Sequence, residues 1–243
     1  MLLAKAPSCE ELLRAASDHG EAFNAVHCSA LWMRLGKLAR EHRSEHRWLR
    51  AHPSATASMC ELTLRLMPTF GPRQLANTAY GAACCGASGH LPHRAFWERV
   101  ASAARPVLRD FPTLELRMLA WSFGTARVRS SRLFDALGQE VLTRLAEPEP
   151  PDATTISTLA WSVAVLEHEA ASTFPGLAHA AESRIDEFGV RELSMFTWAL
   201  AKADYPADGF YEALSGVLPS HADEFARTSQ ALASLSTALH MYI

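Results

Sequence analysis

Apolar residues recur along this chain at the i, i+3, i+4, i+7 spacing of helices with one buried face, and one such helix is written several times. The segments LANTAYGAACCG (75–86), LRMLAWSFGTAR (116–127), ISTLAWSVAVLE (156–167), LSMFTWALAKAD (193–204) and LASLSTALHMYI (232–243) align on Tyr80, Trp121, Trp161, Trp198 and Thr237. These residues are 41, 40, 37 and 39 positions apart, the period at which stacked helix pairs repeat. VHCSALWMRLGK (26–37) reads as a degenerate earlier copy.

The approach to each copy repeats as well. Phe70, Phe111 and Phe188 lie five residues before Leu75, Leu116 and Leu193, with Gly or Pro between, which predicts a closed turn, a chain reversal and a new helix start. A looser version surrounds Phe225. Between copies, Phe96, Phe134, Phe174 and Phe210 head further segments of helical spacing. Each unit is therefore a helix A followed by a helix B, and the expected fold is all-α: a right-handed α-solenoid of repeated helix pairs with a period of about 37–41 residues. The expected organisation is one helical-repeat array over 1–243, in units of about 20–69, 70–110, 111–150, 151–187, 188–224 and a partial 225–243. The chain stops inside the sixth A helix without a polar cap, so the expectation is the array portion of a longer protein.

In helix A, alignment positions 1, 4, 5 and 8 fall on one face and predict the core stripe. The small residue at position 5 (Ala79, Ala120, Ala160, Thr197) allows close helix approach, and the aromatic beside it is expected to fill the groove. The aromatic stripe thus reads as structural.

Composition adds less. Forty-nine per cent apolar content supports a packed core, and no run approaches the roughly 20 apolar residues of a membrane span. Glu10, Glu11 and Asp18 stand where a targeting peptide avoids acids, so a soluble chain already free of such a peptide is expected. Five cysteines, an odd number without CxxC spacing, suit reduced buried thiols and an intracellular or organellar setting. The net charge of −3 conceals an asymmetry: residues 1–150 carry 19 basic and 14 acidic side chains, residues 151–243 carry 4 and 12. A polyanion facing the first half is one meaning of such a split, and drift is another.

The Leu-Ala-Trp helix, the Phe-Gly/Pro approach and the period near 40 resemble the octotricopeptide repeats of organellar RNA-binding factors. They also resemble the related helical arrays of FAST-kinase-domain and RAP-domain proteins. The resemblance covers about residues 20–243. It implies single-stranded RNA as partner, an organellar transcript or ribosomal RNA, with about one nucleotide contacted per helix pair. It also implies a role in RNA stability, processing or translation in mitochondrion or chloroplast, with other ribonucleoprotein components as further partners.

For such a reader, positions 2, 3, 7 and 10 of helix A are expected to be left free by packing. Asn77, Arg117, Ser157, Thr158 and Ser194 are then the candidates for base contacts, having donors and acceptors suited to a base edge. Arg73, Arg94, Arg99, Arg127, Arg129, Arg132 and Lys202 are the candidates for phosphates, with TARVRSSR (125–132) the densest basic turn. Acidity of the second half argues against a strong electrostatic grip on RNA there, and a protein-interaction scaffold is the competing reading.

Catalytic patterns are few. HRSEH (42–46) fits the H-x-x-E-H zinc-hydrolase pattern, but Arg40, Arg43, Arg47 and Arg50 would repel a divalent cation and no third ligand is identifiable. A solvated or RNA-facing basic helix is the better reading. HLPH (90–93) sits in a Pro-containing turn, GASGH (86–90) fails nucleophile-elbow spacing, and no phosphate-binding glycine loop occurs. The expectation is no catalysis, cofactor, metal or membrane.

Overall fold

The computed structural model describes residues 7–86, 94–168 and 173–228. The HLPH turn and the last aligned copy with Thr237 lie outside the described residues. Among those residues the structure is all-helical, with twelve α-helices, short 3-10 turns and no strand. The chain divides into two compact units, Met1–Leu133 and Phe134–Ile243.

The first unit holds α1 (Cys9–His19), α2 (Ala25–Glu41), α3 (Arg43–Ala51), α4 (Ala57–Leu66), α5 (Pro72–Cys85), α6 (Arg94–Ala104) and α7 (Thr113–Ala126). Helix α5 packs against both α2 and α7. Its contact with α2 is close because both helices present glycine at the crossing: a Cβ on Gly81 would run into the Trp32 carbonyl, and one on Gly36 would stand 2.9 Å from the Gly81 Cα. Trp32 itself is fully buried beside Phe96. Its indole N–H donates to the Thr63 hydroxyl at 2.8 Å, and that hydroxyl donates to the Met59 carbonyl at 2.6 Å, so the buried donor is satisfied. All five cysteines lie in this unit as buried free thiols. Burial pushes Cys28 up to about 11 and Cys60 to about 12, and burial followed by the Glu45 carboxylate pushes Cys9 to about 12.

Helix α8 (Ser131–Arg144) leads into the second unit, followed by α9 (Ala153–Val165), α10 (Phe174–Ser183), α11 (Val190–Lys202) and α12 (Asp208–Arg227). Here α9 packs on α11, and Phe196 meets Phe210 edge-on at 4.9 Å. Asp152 caps α9, its carboxylate accepting from the Thr155 N–H at 2.8 Å. Phe96, Phe134, Phe174 and Phe210 are all buried, as expected for the leading residue of each B helix.

The sequence period is also written in the backbone. Before α5, α7 and α11, a 3-10 turn ends on Phe70, Phe111 or Phe188 in extended conformation. Each phenylalanine donates its N–H to the carbonyl three residues earlier at 3.0, 3.0 and 3.1 Å, so the turn is closed before the next helix starts. At the other end, α7, α9 and α11 stop on Arg127, Glu167 and Asp204, all left-handed with φ near +50°. The next residue, Val128, His168 or Tyr205, donates to the carbonyl of Phe123, Val163 or Leu200, which is the Schellman closure of a helix end.

Candidate functional site

The A helices bury more of their circumference than a single apolar stripe requires. In α5, α7, α9 and α11, position 7 is buried along with 1, 4, 5 and 8, because each helix is covered by another A helix and by its neighbouring segments. This corrects the expected readout surface. Ser157, Thr158 and Ser194 are 1%, 4% and 5% exposed, and the Ser157 and Ser194 hydroxyls donate to the Thr154 and Val190 carbonyls. A hydroxyl that donates to its own helix and is enclosed in the core is out of reach of a base. Asn77 and Arg117 are half-buried, on α5 and α7.

The aromatic position is less fully covered than the positions around it. Tyr80, Trp121, Trp161 and Trp198 are not enclosed in the core: all four are half-buried, each keeping part of its surface open. The small residue before each is the buried one. Helical spacing puts positions 3, 6 and 10 on one face, so the aromatic stands at the middle of the least covered stripe of its helix. The Tyr80 and Trp121 rings approach to 5.0 Å. On α2 the place beside Tyr80 is taken by Arg40, whose guanidinium lies 5.9 Å from the Tyr80 ring centre and donates to its hydroxyl.

The phosphate candidates scatter. Arg73 is exposed in the first turn of α5, Arg99 is exposed on α6, and Arg127, Arg129 and Arg132 are exposed between and at the start of α7 and α8. Arg94 pairs with Glu98 at 2.7 Å, and Lys202 stands 3.4 Å from Glu167. None of them lines the cleft that brings Arg40, Arg43 and Arg47 together.

That cleft, about 690 Å³ in volume, is lined by Ala39, Arg40, Arg43, His46, Arg47, Ala83, Cys84, Trp121 and Thr125. It exists because His42 breaks the helix: with φ −126° and ψ 109° it ends α2 and starts α3. Around α3, residues 43, 46, 47 and 50 share one face and 45, 48 and 49 the other. The second face is anchored. Leu49 is fully buried, and the Glu45 carboxylate accepts the Cys9 N–H at 2.7 Å, serving the start of α1. Anchoring leaves Arg43 and Arg47 exposed and His46 half-exposed over the cleft. The nearby Glu41 is 3.8 Å from Lys37, and among the described residues no carboxylate pairs with Arg40, Arg43 or Arg47. In the sequence, the all-basic face at 43, 46, 47 and 50 is the signal for reading this segment as a solvated or RNA-facing basic helix, but it does not place Arg43 and Arg47 among the phosphate candidates or connect them with Trp121.

Among the described residues no group of three or more His, Cys, Asp or Glu is placed to hold a metal ion, and no helix is long and apolar enough to cross a membrane. No protein-family model matches the chain, and no curated protein sequence matches it.

Proposed function

We propose that the chain is a single-stranded-RNA-binding helical-repeat protein, a right-handed α-solenoid of helix pairs that acts on organellar transcripts without catalysis of its own. The supporting observation is the aromatic residue recurring half-exposed on successive A helices, Tyr80, Trp121, Trp161 and Trp198. Partly exposed rings at a fixed repeat position offer faces on which unpaired bases stack, and stacking accepts any base because every base has a π-face. The arginine-rich first half supplies the cations that track a phosphate backbone. The organelle, and a role in RNA stability, processing or translation, rest on the resemblance to octotricopeptide repeats.

Binding of the purified chain to a random single-stranded RNA pool and to double-stranded RNA, at about 50 and about 200 mM salt, tests the reading. Single strands are expected to bind and to weaken with salt, and duplex to bind poorly. Absence of binding at the lower salt would overturn the reading in favour of a protein-interaction scaffold.

A further inference from the structure

We propose that the cleft between α3 and the α5–α7 pair is a one-nucleotide subsite: an unpaired base lies against the Trp121 ring while Arg43 and Arg47 hold its phosphate. This rests on the single-strand reading above and gives it a specific address.

Three features restrict the occupant. Arg40, Arg43 and Arg47 border the cleft with no carboxylate in its lining, so an anion is favoured and a cation is repelled. The rest of its lining includes the apolar and aromatic Ala39, Ala83, Cys84 and Trp121, which hydrated inorganic anions gain nothing from. Its volume, about 690 Å³, lies in the range of about 300–1,000 Å³ typical of small-ligand sites. An anion carrying a flat aromatic group satisfies all three conditions, and a nucleotide is that chemistry. Arg40 is already engaged with Tyr80, and the Arg47 Nε donates to the Arg43 carbonyl at 3.4 Å, so the groups offered to phosphate are the Arg43 guanidinium and the terminal amino groups of Arg47, one helical turn apart on the same face of α3. His46 and Thr125 add hydrogen-bonding groups at the cleft wall. A base within a duplex is stacked on both faces and cannot reach the Trp121 ring, so the subsite selects unpaired nucleotides.

The site is particular to this part of the chain. Helix α3 is inserted between the first A helix, α2, and the following α4, and no other A-to-B connection among the described residues carries such a helix. The nucleotide could belong to an RNA strand or be free in solution, and the chemistry recognised is the same.

The test uses the full chain with a labelled single-stranded RNA of mixed sequence, followed by anisotropy, and with AMP, followed by tryptophan quenching. Three variants are compared: R43A/R47A, W121A and W121F, each checked for an unchanged circular dichroism spectrum. The expected result is that R43A/R47A weakens RNA binding at least about tenfold and lowers the salt slope by about one to one and a half, two phosphate contacts' worth for a single strand. W121A is expected to weaken it about five- to a hundredfold, with W121F close to the parent because it keeps a ring. R43A/R47A retains Trp121 and the α3 anchor Leu49, so it reads the site even if W121A fails to fold. RNA binding unchanged in R43A/R47A and W121A would overturn the subsite while leaving the RNA reading intact. No RNA binding, but AMP quenching that R43A/R47A abolishes, would support the subsite with a free nucleotide as its ligand and overturn the RNA reading. Neither RNA nor AMP binding would overturn both.

Discussion

The rings of Tyr80 and Trp121 lie 5.0 Å apart at their centroids, tilted by 35°, although 41 residues separate them in sequence. Packing of α5 against α7 brings one repeat period into direct contact, and Arg40 closes the row on the far side of Tyr80. Neither ring is buried in the core, so their pairing leaves aromatic surface open to a ligand.

This half-exposure separates two aromatics on the same helix. Trp121→Ala is expected to cost about 1.5–3 kcal/mol of stability, the worth of an aromatic pair plus partial burial. Phe123, fully buried and edge-on to Trp97 at 4.8 Å, should cost about 3–5 kcal/mol on truncation to Ala. Urea unfolding of both variants checks the order; equal losses would mean that Trp121 is a core residue after all.

Gly81→Ala pits helix propensity against packing. Alanine is the better helix former by about 1 kcal/mol, but the added Cβ meets the backbone of Trp32 and Met33 on α2, which no side-chain rotation can relieve. Packing should win, with a net loss of about 1–3 kcal/mol. A variant with a raised denaturation midpoint would show that α2 and α5 can move apart without cost.

The three left-handed helix ends carry side chains where glycine is cheapest. Asp204, at φ 50°, sits at that point after α11. Relief of about 1–2 kcal/mol of steric cost outweighs glycine's extra unfolded-state freedom of about 0.5–1 kcal/mol. Asp204→Gly is therefore expected to stabilise the protein by up to about 1 kcal/mol in urea titration. Arg127→Gly should behave alike, and lowered midpoints in both would mean that these side chains hold their turns by contacts of their own.

Alkaline pH should weaken the first unit selectively. Its thiols are raised from an ordinary value of 9.0 to about 11 for Cys28 and about 12 for Cys60, chiefly by burial. The folded state therefore stays protonated while the unfolded state ionises: stability is fully present below about pH 9 and falls as pH rises through the folded values. Each such thiol contributes a slope approaching about 1.4 kcal/mol per pH unit. Urea midpoints at about pH 8 and about pH 10.5 measure the loss. Cys60→Ala should flatten it, and an identical slope in that variant would remove the thiol as the cause.

Helix type, period and turns were legible in the sequence because they depend on local chemistry. The Phe-Gly/Pro approaches to Leu75, Leu116 and Leu193 became 3-10 turns followed by helix starts, since phenylalanine, glycine and proline act on their immediate neighbours. Facing was legible only for the stripe at positions 1, 4, 5 and 8, which is buried as its spacing implied. Ser157, Thr158 and Ser194 are polar enough to suggest a surface, yet helix-on-helix packing encloses them and their own backbone satisfies the Ser157 and Ser194 hydroxyls. The tryptophans, apolar enough to suggest a core, are left at the margin because the buried contact is made by the Ala or Thr before each of them. The cleft lay furthest from view: it joins Arg43 and Arg47 to Trp121 across more than 70 residues of sequence. The sequence by itself determined an all-helical chain with a period near 40. Which side of each helix meets solvent, and which distant arginines share a site with which ring, was decided only by tertiary packing, because burial depends on what a neighbouring helix covers.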